Sequence, residues 1–296
     1  MRFQLDLTKE YGIVLEGGGA RGSYQIGAWK ALREAGIKIR GIAGASVGAL
    51  NGALICMDDL EKAEEIWENI RYSQVINVDD DVIETVKKLD LKSLDLVKVA
   101  EDAKRILKDK GLDITPLKNL IESVVDEDKI RSSDRELYLT TYSVTDRELL
   151  VLNAKDIPDG EIGDMLLASA YFPAFRNDKL GGKRYLDGGG WNNVPINILL
   201  EHDYKDILVI RIYGLGYDSE RTTEIPEDVH VTHIAPRQDL GGILEFDRTR
   251  ARKNMTLGYY DAKRVLYPLE GRWYYLYAPE SDVYYFERFL TEIEEF

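Results

Sequence analysis

Two short apolar stretches that each run straight into glycine and then into a helix constrain this chain more than any other feature. The first is "YGIVLEGGGARGSYQIGAWKALREAG", residues 11–36, and the second is "IKIRGIAGASVGALNGALICM", residues 37–57. In each, an extended run passes with almost no loop into residues at helical spacing. The first helix reads from about Ser23 to Glu34 and stops at Gly36. Strand–helix–strand–helix alternation with short loops predicts a parallel sheet with helices over both faces. "KDILVIRIYG", residues 205–214, is nearly all apolar, as a strand inside such a sheet must be.

The remaining segments fit around that core. "LEKAEEIWENIR", residues 60–71, is an amphipathic helix, and 79–111 is charged, with Val82, Ile83, Val86 and Leu89 at helical spacing. The latter reads as an insertion over the core and a candidate lid. "ELYLTTYSV" and "ELLVLNA" have the alternation of paired strands; "EIGDMLLASA" reads as helix; "KRYLDGGGWNNVPINILLEH" reads as strand, turn and helix, with Pro195 in the first helical turn. Beyond residue 214, "VHVTHIAP" and "RWYYLY" read as strands, Leu240–Leu266 as helix and Ser281–Phe296 as a last helix. Without repeats or Pro/Gly linkers, 1–296 reads as one domain, with a core at about 10–213 and residues 214–296 packed on it.

A net charge of −14 without a Lys/Arg stripe argues against nucleic acid and against lasting attachment to an anionic membrane. Transient contact with a membrane surface through apolar residues stays open. The one cysteine, Cys56, has no intrachain partner and sits in an apolar helix. No signal-peptide pattern and no apolar run near the roughly 20 residues of a membrane span are present, so a cytoplasmic location is expected. The pattern specifies no oligomeric state.

Gly44-Ala45-Ser46-Val47-Gly48 fits G-x-S-x-G at a predicted strand-to-helix turn, where glycines avoid a Cβ clash between strand and helix. Taken alone, Ser46 is as compatible with a helix cap as with a nucleophile. Gly17, Gly18 and Gly19, followed by Arg21 and Gly22, form a small-residue loop whose N–H groups suit an anion, either a phosphate or the oxyanion of an acyl transfer. Gly17, Gly19 and Gly22 also match G-x-G-x-x-G, which keeps a nucleotide-binding module open. That reading wants an acid at the end of the next strand, where Arg40 stands instead. Adjacent parallel strands set their carboxyl-end loops side by side, so the glycine loop and Ser46 share one crevice.

A serine nucleophile needs a proton acceptor. His202, His230 and His233 all follow Ser46, and each also reads as a surface or strand-end residue. Asp187 ends "KRYLD" and precedes Gly188, Gly189 and Gly190, which suits a crevice as well as an ordinary Asp-Gly turn. As a base it requires dehydration to raise its pKa.

The ordered set "GGGARG" at 17–22, "GASVG" at 44–48 and "DGG" at 187–189, with "ASAYFP" at 168–173, resembles the patatin-like phospholipase family across roughly residues 10–213. The resemblance implies a three-layer α/β/α sandwich with a mainly parallel sheet. It also implies a carboxylic ester hydrolase acting on lipid acyl esters through a Ser46–Asp187 dyad without histidine. Gly17, Gly18 and Gly19 would bind the oxyanion, with Val47 as a further donor and Gly22, Gly44, Gly48, Gly188 and Gly189 shaping the turns. Arg21 would steady charge near the site or brace the loop through an ion pair. No metal or other cofactor is implied, and H-E-x-x-H, C-x-x-C and EF-hand patterns are absent. A low-turnover regulatory lipid-binding relative remains a further alternative. Trp29, Tyr171, Phe172 and Trp191 are candidate pocket residues.

Overall fold

The computed structural model describes residues 5–77, 111–267, 269–270, 276–277 and 280–294. The expected helical insertion and lid at 79–111 lies outside these residues except for Gly111. The strands are β1 (Glu10–Leu15), β2 (Lys38–Ala45), β3 (Glu136–Ser143), β4 (Glu148–Asn153), β5 (Tyr185–Asp187), β6 (Asp206–Ile210) and β7 (His230–Ile234). They form one sheet in the order β4-β3-β2-β1-β6-β7, with β5 also paired to β3. β3, β2, β1, β6 and β7 are mutually parallel, while β4 and β5 run antiparallel to β3.

The sheet's alternation divides the core in two. Ile13, Leu15 and Ile42 point to a large apolar cluster; Val14 and Ala43 point to a smaller one on the other face. Over the large face lie α1 (Ser23–Glu34), α2 (Val47–Cys56), α3 (Leu60–Asn69), the short α4 (Tyr72–Val75), α5 (Thr115–Val124), α6 (Glu127–Ser132) and α7 (Ile162–Ser169). A short turn of helix, α8 (Gly189–Asn192), precedes α9 (Ile196–Glu201), which covers the smaller face with Ile196, Ile198 and Leu199. The architecture is therefore a three-layer α/β/α sandwich about a mainly parallel sheet.

The C-terminal portion joins this core through α10 (Arg248–Leu266), which lies along α1. The two helices meet at glycines: a Cβ on Gly27 would stand 1.8 Å from the Met255 carbonyl oxygen, and one on Gly258 2.0 Å from that of Tyr24. The sequence pattern expected this helix from Leu240. It starts eight residues later because Gly241 turns with φ +86°, and the Asp247 side chain caps the helix by accepting from the Arg250 N–H at 2.9 Å. A two-stranded ribbon, β8 (Leu269–Glu270) with β9 (Leu276–Tyr277), and α11 (Asp282–Glu294) follow. Helix α3 stops at Asn69 rather than Arg71, since Ile70 is extended. Among the described residues, no helix is long and apolar enough to cross a membrane.

Gly27→Ala forces α1 and α10 apart with no flexible side chain to give way. Urea denaturation is expected to show a loss of about 2 kcal/mol or more, whereas Gly160→Ala, which meets open space but requires φ +83°, tests backbone strain alone and should lose less.

Candidate active site

The meeting of Ser46 and Asp187 follows from how β3 uses one edge. Along that edge, Glu136–Thr140 pair in parallel with Gly41–Ala45 of β2. Where β2 ends, the same edge continues with β5 in the opposite direction, Thr141 opposite Asp187. The residue after β2 is Ser46. Two strands running toward each other along one neighbour thus deliver the serine and the aspartate to the same point from distant parts of the chain.

Ser46 leaves β2 with φ 54° and ψ −125°, a left-handed conformation unfavourable for a residue with a Cβ. Its side chain makes no capping bond to α2. The turn closes only because of its glycines: a Cβ on Gly44 would lie 2.5 Å from the Gly48 carbonyl, and one on Gly48 2.2 Å from the Leu15 carbonyl oxygen. Ser169 holds the strained residue from α7. Its hydroxyl accepts the Ser46 N–H at 3.0 Å and donates to the Thr140 carbonyl at 2.7 Å.

The Ser46 hydroxyl and the Asp187 carboxylate meet at the head of one pocket, where Asp187 also accepts the Gly189 N–H at 2.8 Å. Burial pushes the Asp187 carboxyl up to about 6, against the lowering effect of the Ser46 hydroxyl and the Gly189 N–H. Among the described residues, no cation neutralises it. Gly188 lies flat against Thr140, where a Cβ would stand 2.3 Å from the carbonyl oxygen.

The glycine loop reaches the same point from β1. A Cβ on Gly17 would lie 3.2 Å from that of Ser46, and one on Gly22 2.5 Å from the Val47 side chain. Gly17 spends its N–H on the Asn193 carbonyl at 3.2 Å, so it is not a free donor. Gly18 and Gly19 line the pocket beside Ser46, Gly19 with φ +55° in a turn packed against the Ile243 carbonyl. Arg21 braces the loop, but through carbonyls rather than an ion pair: it donates to Gly241 at 2.7 Å, Ile212 at 3.4 Å and Tyr213. Arg40 pairs with Asp134 and stands five residues, roughly 16 Å, before the end of β2.

The sequence matches the family model described as Patatin-like phospholipase over residues 13–200. The chain belongs to the patatin-like phospholipase family. A stretch of 50 residues, 17% of the chain, is 58% identical to lysophospholipase nte1 of Aspergillus terreus. Another comparison gives 57% identity over 47 residues with neuropathy target esterase sws of Drosophila sechellia. The chain spans only 3% of the length of each of these relatives. Among solved structures, VipD from Legionella pneumophila superposes with TM-score 0.46 at 15% identity, covering 86% of this chain and 66% of that one. The type III effector ExoU gives TM-score 0.42 at 16% identity, covering 86% and 52%.

In this patatin-like chain the pocket that opens at Ser46 and Asp187 is walled mainly by apolar side chains of α2, α3 and α5. Of the aromatic residues expected there, Phe172 contributes. Trp29 is a core residue at 1% exposure, Tyr171 is buried outside the lining, and Trp191 lies outside it, stacked on Tyr142 with ring centroids 3.8 Å apart. Among the described residues, no histidine lines the pocket. His202 bonds the Ile198 carbonyl through Nδ1 and His233 meets Glu220, both away from Ser46. Among the described residues, no group of three or more His, Cys, Asp or Glu side chains is arranged to hold a metal ion.

Three supports of the site do not stand out as single residues in the sequence. Ser169, inside "ASAYFP", is one. Asn193 is another: it accepts the Gly17 N–H through its backbone, donates its amide to the Gly17 carbonyl at 3.2 Å, and abuts Gly189. The third is Glu16, buried directly before the glycine loop. Its carboxylate takes Arg211 at 3.0 Å and the N–H groups of Ile212, Tyr213 and Gly214 at 2.7, 3.0 and 3.2 Å, which locks the β1 and β6 loops together. Its one signal in the chain is an acid inside the apolar run "LEGGG".

Because the folded-state pKa of Asp187 is raised, the fold disfavours its charged form. That penalty is absent below the ordinary value of 3.8 and grows as pH rises to about 6. Asp187→Asn is therefore expected to raise the thermal midpoint at pH 8 and to leave it near the wild-type value at pH 4. Equal shifts at the two pH values, followed by calorimetry, would show that charge burial is not the cause.

Proposed function

We propose that this protein is a serine acyl hydrolase that cleaves an acyl ester bond of a lipid. Ser46 is the nucleophile and Asp187 the general base. The observation that supports this most is the placement of a strained, elbow-borne serine together with a desolvated carboxylate at the head of one apolar pocket.

As the Ser46 oxygen attacks the ester carbonyl carbon, its proton passes to Asp187, which lines the same pocket. A carboxylate with pKa near 6 is a stronger base than a solvated one and is still ionised at neutral pH. Negative charge develops on the carbonyl oxygen beside Gly18 and Gly19, whose N–H groups, with that of Val47 at the start of α2, are the donors in reach of it. One such donor is worth about 2.7–4 kcal/mol of transition-state stabilisation. Gly17 contributes by shape and by its anchorage to Asn193. Collapse of the intermediate expels the alcohol, which takes the proton back from the carboxylic acid form of Asp187. A water molecule then gives its proton to Asp187, attacks the acyl-enzyme, and releases the acid with Ser46 restored. The apolar wall of the pocket suits the acyl chain and leaves the polar leaving group toward solvent.

With a chromogenic fatty acyl ester, Ser46→Ala and Asp187→Asn are each expected to lower kcat by on the order of 10³-fold or more. His202→Ala and His233→Ala should retain turnover. For the wild type, kcat/KM is expected to fall as pH drops through about 6, the pH at which Asp187 takes up its proton, and to be level between pH 7 and 8. Activity that survives loss of either Ser46 or Asp187 would refute the dyad.

A further inference from the structure

The pocket wall that starts at Ser46 is one face of α2. Val47, Leu50, Leu54 and Met57 recur at three- and four-residue spacing, and all four line the space. Asn51 is the polar residue on that face, and its amide is already engaged at both ends. Its nitrogen donates to the Gly22 carbonyl at 2.9 Å and to Gln25 at 2.8 Å, and its oxygen accepts the Trp67 indole N–H at 3.0 Å. Leu117, Ile121 and Val124 of α5 line the same space. Apart from Asp187, no Asp, Glu, Lys or Arg among the described residues lines the pocket. The α2 side of the pocket therefore has no charge to offer a head group and suits an alkyl chain along its length.

We infer that α2 is a ruler for the acyl chain, with the tail running from Ser46 to Met57 and a single unbranched chain of about 12–14 carbons preferred. This rests on the hydrolase reading of the same site. The number follows from geometry. Met57 is eleven positions after Ser46, about 16 Å along a helix that rises about 1.5 Å per residue. An extended alkyl chain, with C–C bonds of about 1.5 Å at near-tetrahedral angles, advances about 1.25 Å per carbon. By the same measure Leu54 stands at about the ninth or tenth carbon. Each methylene that finds an apolar berth strengthens binding about fourfold, so the position of an obstruction on α2 sets where the gain stops.

The test is the ratio of kcat/KM values for p-nitrophenyl esters of four to sixteen carbons, compared within each enzyme so that the fraction folded cancels. Wild type is expected to peak at 12–14 carbons. Leu54→Trp should lower the ratio of the 14-carbon to the 8-carbon ester by about 10²-fold, as roughly four methylenes lose their berth. Met57→Trp should lower it by only about tenfold, and Met57→Ala should move the peak to longer chains. Ratios unchanged in all three variants would overturn the ruler while leaving the hydrolase reading intact. In parallel, calorimetry of Ser46→Ala with saturated fatty acids of eight to sixteen carbons reads the ruler without turnover. Affinity is expected to climb with chain length and level near 14 carbons, and to level earlier when Leu54→Trp is added. Absence of such a plateau overturns the ruler; a plateau together with an inactive wild type counts against the hydrolase reading alone.

Discussion

The shared edge of β3 is the constraint on which the rest of this structure depends. A β-strand edge offers one row of backbone donors and acceptors, and here β2 uses the first part of the row and β5 the last part, from the opposite direction. Their tips must therefore abut. Everything near Ser46 accommodates that arrangement. The glycines at 44 and 48 let α2 start close to the strand, Ser169 bridges the elbow to β3, and Gly188 lies against Thr140 so that Asp187 reaches the serine. Shifting β5 by one residue would turn Asp187 to the other face of the sheet.

Two desolvated carboxylates show how surroundings assign roles. Glu16 precedes the glycine loop and Asp187 ends β5. Burial pushes both upward. Glu16 is answered by Arg211 and three backbone N–H groups, and Arg211 is itself held by Asp218 and Glu220 at 2.7 and 2.6 Å. Such a saturated, charge-paired group is an anchor. Asp187 has a serine hydroxyl, one N–H and, among the described residues, no cation, so its proton affinity is high and its partner is the group that reacts in the proposed chemistry. The fold thus answers the charge of Glu16 with Arg211 and, among the described residues, sets no cation against Asp187.

Much of the fold was legible in the chain. The β1–α1–β2–α2 run, the paired β3 and β4, and the apolar β6 all carry period and punctuation that no other local structure satisfies. The start of α10 was not legible, since residues 240–247 continue an acceptable helical pattern and only the turn at Gly241 and the Asp247 cap break it. Trp29 was misplaced because an aromatic residue near a glycine loop has the same local pattern whether it faces a pocket or the core. Gly27 and Gly258 were unremarked because a helix glycine gains meaning only from the second helix that crosses it.

The sequence by itself determined the turns: which residues tolerate a left-handed serine elbow, a flat glycine loop and an acid before glycine, since these are matters of local sterics and spacing. Tertiary structure decided which of those groups are available for chemistry. Gly17 has the same local pattern as Gly18 and Gly19, yet its N–H is taken by Asn193, a residue from the far side of the chain. Asp187 becomes basic only because strands from distant parts of the chain bury it beside Ser46. Donor occupancy and desolvation are properties of neighbours, and only the assembled sheet supplies neighbours from both ends of the chain.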